Sequence, residues 1–300
     1  MRRALELLRS ARFAPALPCA DALARVLAET GVNFERARAR TGFARGHLLQ
    51  VVLYLPGGSG AARESAAGLE LVRLLIGEEL CERWVSQVSA LPTVRGGALT
   101  VINDNSEEHA ALPIDELYET VRVAVSGLRS GLPPLPAAAS DSADWVLFEL
   151  EPAAELDYAA QDDLLFCSTR LPELKKSFLR GEPFFSGRFS ADDALFAYLK
   201  YESSELAPEV RLTERSQFEE AAACALGAER GALVGLGFGL RYGYLDFALR
   251  DPNCATERLL TALRAAGIGR RAWLLFYDTE LERHFVPVYP DSPEPYWGGS

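Results

Sequence analysis

Two hydrophobic periods alternate along this chain. Residues 20–30 place Ala22, Leu23, Val26 and Leu27 at helical spacing, and Gly31 is a natural stop. Residues 47–55 form a nearly unbroken apolar run, the pattern of a buried strand, which Pro56-Gly57-Gly58-Ser59-Gly60 ends abruptly. A helix is expected over 62–82, with Leu69, Val72, Leu75 and Ile76 on one face and charges opposite. Residues 84–88 and 98–102 read as strands around a turn at Arg95-Gly96-Gly97. The best-defined helix begins at Pro113, a favoured first helical position, with Asp115 and Glu116 in its positive first turn. Ile114, Leu117, Val121, Val125 and Leu128 make its stripe, and Gly131 suits the position just past its end.

Pro133-Pro134-Leu135-Pro136 and the Ala/Ser run after it break the pattern. Beyond them, strands are expected at 144–150, 164–169 and 194–201, and helices at 172–180 and 215–227. Residues 231–250 are glycine-rich, and Leu245, Phe247 and Leu249 alternate with Tyr244, Asp246 and Ala248, the period of a half-buried strand. A helix at 254–266, closed by Gly267, and strands at 272–278 and 284–289 complete the chain. The tail holds Tyr296 and Trp297 among prolines, and the sequence leaves open whether they anchor the tail or present it to a partner.

This order predicts an α+β protein of two lobes, each a mainly antiparallel sheet covered by helices, with a ferredoxin-like arrangement as the topological guess. The lobes are residues 1–132 and 144–300, joined by a Pro/Ala/Ser linker at 133–143. The 300 residues suit two domains, since one usually takes about 100–200.

The formal net charge is −11, and its placement matters more than its total. Residues 141–229 carry 8 basic and 19 acidic side chains, and the segments on either side balance. A concentrated excess of this kind steers a basic partner and repels nucleic acid, whose binding needs clustered Lys and Arg. Arg36, Arg38 and Arg40, at a period of two, read as a solvated strand face. The five cysteines are scattered without a C-x-x-C pair, which suits a reducing compartment and small buried residues. Glu6, Arg9 and Arg12 interrupt any signal-peptide core, so residues 2–12 read as an amphipathic helix; the expectation is a cytoplasmic protein with no membrane partner. Three lysines against 28 arginines point to a GC-rich bacterial source.

Most chemistries are argued against. Gly235, Gly237 and Gly239 do not complete a dinucleotide fingerprint and run into a strand. Gly57 to Gly60 sits between strand and helix, the context of an anion site, but no Gly-Lys-Ser/Thr follows. No nucleophile elbow is present, and His47 and His284 read as structural. No cofactor is expected.

The leading expectation is therefore a non-catalytic binding protein whose acidic C-terminal lobe docks a basic protein, in the manner of an inhibitor, antitoxin or immunity protein. The docking residues are Phe184 and Phe185, expected exposed on a loop, with Asp192, Asp193, Glu202 and Glu205 around them. Phe189, Phe196, Tyr198 and Tyr201 read mostly as core. The alternative is a hydrolase or metal-dependent enzyme with a carboxylate-rich site between the lobes, in which Asp104, Glu107 and His109 hold a divalent cation.

Overall fold

The computed structural model describes residues 13–43, 48–93, 111–132, 145–153, 157–191, 194–203 and 208–298. It contains both helices and sheets, an α+β protein, and divides into two compact units at Gly131/Leu132. The linker 133–143, the helix expected over 2–12 and the strand expected at 98–102 lie outside the described residues.

The first unit contains α1 (Cys19–Thr30), β1 (Arg38–Phe43), β2 (Leu49–Leu55), α2 (Ala62–Ile76), α3 (Glu78–Trp84), β3 (Val85–Pro92), β4 (Leu112–Pro113) and α4 (Leu117–Ser130). Its sheet runs β3-β2-β1-β4, parallel between β2 and β3 and antiparallel elsewhere. The single helix expected over 62–82 is two helices. Gly77 breaks it at φ +86°, a left-handed conformation that suits glycine, and an added Cβ there would lie 3.1 Å from the Ala16 nitrogen. On α2 the buried stripe uses Leu71, Val72 and Leu75, while Leu69 is exposed.

The second unit contains β5 (Val146–Glu149), β6 (Leu164–Thr169), α5 (Pro172–Leu179), β7 (Leu195–Glu202), α6 (Pro208–Arg230), β8 (Gly231–Gly239), β9 (Tyr242–Leu249), α7 (Pro252–Ala265), β10 (Ala272–Phe276) and β11 (Phe285–Pro287). Seven strands form one sheet in the order β11-β10-β7-β9-β8-β6-β5, and every neighbouring pair is antiparallel. At its centre β7-α6-β8-β9-α7-β10 is a β-α-β-β-α-β unit with spatial order β10-β7-β9-β8.

Strand alternation sorts the side chains of this sheet into two layers. On one face Leu199, Leu245, Phe247 and Leu274 pack against Phe218, Ala222 and Leu226 of α6 and Leu259 and Leu263 of α7. The opposite face carries Phe196, Tyr198, Tyr242, Tyr244, Trp273, Leu275 and Tyr277, covered by Leu174, Phe184 and Phe189. The first layer is mostly aliphatic and aromatic; the second holds nearly all the buried charge described below. Among the described residues no helix is long and apolar enough to cross a membrane.

Candidate functional site

The second face of the seven-stranded sheet is built on a buried ion pair. Lys175 of α5 and Asp246 of β9 are each 1% exposed, and Nζ lies 2.8 Å from Asp246 Oδ2. The same amine donates to Gln161 Oε1 at 2.8 Å and Tyr277 Oη at 2.9 Å, so two of its protons are hydrogen-bonded and the Asp246 contact is an ion pair. Gln161 Nε2 closes the ring by donating to Asp246 Oδ1 and Tyr277 Oη. Burial, the Asp246 charge and a hydrogen bond to Asp246 hold the Tyr277 phenol well above its ordinary value.

The glycines of β8 make room for this layer. A Cβ on Gly235 would lie 3.0 Å from Asp246 Cγ, and one on Gly239 would collide with the Asp163 carboxylate. They let carboxylates lie flat across a strand. Asp163, fully buried, accepts the backbone N–H groups of Arg241 and Tyr242 at 2.8 Å each and the Tyr244 hydroxyl, pinning the β8–β9 turn. Beside it Lys200 donates to the Tyr158 carbonyl and lies 4.2 Å over the Tyr242 ring. Burial lowers this amine to about 8, against the pull of Asp163, Asp157 and Asp162.

Next to this locked layer a pocket of about 330 Å³ opens to solvent. Its walls are aromatic: Phe178, Phe184, Tyr198, Tyr277 and Trp297, with Leu275 from β10. Phe178 meets Tyr277 edge-on at 4.6 Å, and Tyr198 lies 5.1 Å from Tyr277 between ring centres. Exposed Pro183, Thr279, Glu282 and Arg283 form the mouth, with half-buried His284 beside them. The tail is an anchor: Trp273 donates to the Pro293 carbonyl at 2.6 Å, and Trp297 packs against Phe285.

Backbone strain collects at the same place. Among the described residues, the non-glycine positions with positive φ are Ala160 at +36° and Arg283 at +63°, and both line this pocket. Such conformations cost about 1–3 kcal/mol each and persist where the surroundings over-determine them, which is common at ligand sites.

Several expectations are corrected. Phe184 is not on an exposed loop: it is 5% exposed and stacks on Phe189 at 4.8 Å, because its ring supplies part of the second layer. Phe185 is half-buried. Phe189, Phe196, Tyr198 and Tyr201 are core. Glu202 takes Arg241 at 2.6 Å and Arg271 at 3.2 Å, in a cluster that also holds Asp157 and the Tyr242 hydroxyl, so its charge is neutralised internally. Asp192, Asp193 and Glu205 lie outside the described residues, as do Asp104, Glu107 and His109 of the metal reading. Among the described residues no group of three or more His, Cys, Asp or Glu side chains could hold a metal ion. Of the cysteines, all free, Cys81 and Cys167 are buried but Cys224 is exposed. The Gly57–Gly60 loop does gather anion-binding N–H groups, and Glu64 of α2 fills it, accepting from Ser59 at 3.0 Å and Gly60 at 2.7 Å.

The pocket was missed in the sequence because its walls come from five separate stretches, between Ala159 and Trp297. The one local signal was aromatic density: Phe178, Phe184, Tyr198 and Tyr277 recur within the same unit. No protein-family model matches the chain, and no curated protein or solved structure matches it either.

Proposed function

We propose that this chain is a non-catalytic binding protein and that its second unit takes up a small ligand in the aromatic pocket. The observation that carries the reading is the pocket itself, aromatic-walled, open to solvent and within the roughly 300–1,000 Å³ of small-molecule sites. Its rim is poorly equipped for catalysis. Ser186, whose Oγ donates to Asp278 and accepts the Phe196 N–H at 2.9 Å, is buried and does not line the pocket. The central β-α-β-β-α-β order supports a ferredoxin-like reading of this unit, with α6 and α7 on one face and the ligand site on the other.

An NMR titration of the full chain with a library of small aromatic compounds tests this. Binders should perturb signals of Phe184, Tyr277 and Trp297 and weaken in Trp297→Ala. Perturbations centred elsewhere, or unchanged affinity in the variant, would remove the pocket as the site.

The charge confined to residues 141–229 favours a second form of the same reading, capture of a basic protein. Association that does not weaken between low and high salt would argue against it.

A further inference from the structure

The polar groups of the pocket wall are nearly all spoken for. Asp278 accepts the Ser186 N–H at 2.8 Å through Oδ1 and the Ser186 hydroxyl through Oδ2. Behind the wall, Asp246 and Lys175 form an ion pair at 2.8 Å, and the Tyr277 hydroxyl accepts from Lys175 and Gln161. The interior thus offers no free carboxylate to a cation and no free amine to an anion.

Tyr198 is the exception. Its side chain lines the pocket and the residue is 2% exposed, yet its hydroxyl makes no hydrogen bond among the described residues. The hydroxyl is not among the polar atoms sealed from solvent, so the small surface it keeps leaves its donor available to a ligand. Burial, together with the Asp246 and Asp162 charges, holds its proton on far beyond the ordinary phenol value. It is a permanent donor facing an apolar space.

We propose that the pocket selects a neutral, flat aromatic molecule bearing a carbonyl-type acceptor, which the Tyr198 hydroxyl reads. The inference rests on the pocket being a binding site. The rings of Phe178, Tyr277 and Trp297 supply planar apolar contact, and the hydroxyl supplies orientation. At about 330 Å³ the space equals roughly 11 waters at their bulk volume, enough for a two-ring compound.

Four probes of one shape test the idea: 2-acetylnaphthalene, 2-ethylnaphthalene, 2-naphthoate and 2-naphthyltrimethylammonium, titrated into the full chain and followed by protein-observed NMR. The ketone should bind about tenfold tighter than the ethyl compound, the scale of one hydrogen bond to an otherwise unpaired donor, and tighter than either ion. Tyr198→Phe removes the hydroxyl without changing the ring; it should erase the ketone's advantage and leave or improve binding of the ethyl compound. Equal binding of ketone and ethyl compound, a ketone advantage that survives in Tyr198→Phe, or preference for either ion would overturn the proposed selectivity while leaving the pocket as a binding site. No binding by any of the four would overturn the pocket reading itself. A Tyr198→Phe chain that melts as wild type and still gives wild-type shifts at Trp297 excludes a folding artefact.

Discussion

Replacing Lys175 by Met isolates the energetics of the buried layer. The substitution keeps an unbranched side chain of similar length and deletes the amine. It strands the Asp246 carboxylate, 1% exposed, with Gln161 Nε2 at 3.3 Å and the Tyr277 hydroxyl as its remaining neighbours. Breaking a buried pair from one side costs about 3–5 kcal/mol, because an uncompensated charge stays in a low-dielectric interior. Asp246→Asn should cost a similar amount by stranding the ammonium. The double variant carries neither charge, so its loss should fall well short of the sum, with a coupling of about 2–3 kcal/mol as expected of contacting groups. Urea unfolding at pH 7, followed by near-UV circular dichroism from the tyrosines and Trp273 of this layer, reads all four corners. Single variants within about 1 kcal/mol of wild type, or additive losses, would refute the claim that this pair organises the second face.

Lys200 predicts a pH signature. Burial lowers its folded value to about 8 from an ordinary 10.5, so between these limits the unfolded chain holds the extra proton and stability rises with pH. Wild type should gain on Lys200→Met by up to about 3 kcal/mol from pH 8 to 10.5 in urea titrations; parallel curves would show that the amine is not desolvated. Gly235→Ala should destabilise by about 1–3 kcal/mol, since the new methyl meets a carboxylate that Lys175 holds in place, whereas Gly269→Ala, with nothing within 4 Å, should be near neutral in the same thermal melts. Phe184→Ala should cost about 3–5 kcal/mol, against much less for half-buried Phe185→Ala; equal small losses would return Phe184 to the surface.

Elements whose signal is local were legible in the sequence. The helix stops at Gly31 and Gly131, the run over Leu49–Leu55 and the strand over Tyr242–Leu249 appear where the pattern placed them. That last strand is buried on both faces rather than half-buried, because both sides of its sheet are covered. Errors arose where a distant neighbour decides. Gly77 interrupts a stripe that looks continuous, because the chain around Ala14–Ala16 packs against the break. The glycines of β8 read correctly as strand, but the reason for them, Asp246 and Asp163 lying across them, comes from distant residues. Phe184 sits between Pro183 and Phe185, a context that reads as an exposed loop, yet Thr279, far along the chain, pairs with its backbone at 2.8 Å and holds the ring inward.

Hydrophobic period, turn residues and charge counts act over a few residues, and so the chain by itself determined its α+β character, most of its elements and the acidic bias of residues 141–229. Which charges are spent internally is a different kind of fact. Glu202 and Asp246 are both acids on alternating strands, and only the sheet order brings Arg241 and Arg271 to one and Lys175 to the other. The pocket, too, exists only where α5, β7, β10 and the tail converge. Burial and pairing depend on contacts between residues distant in sequence, and tertiary structure alone chooses those contacts.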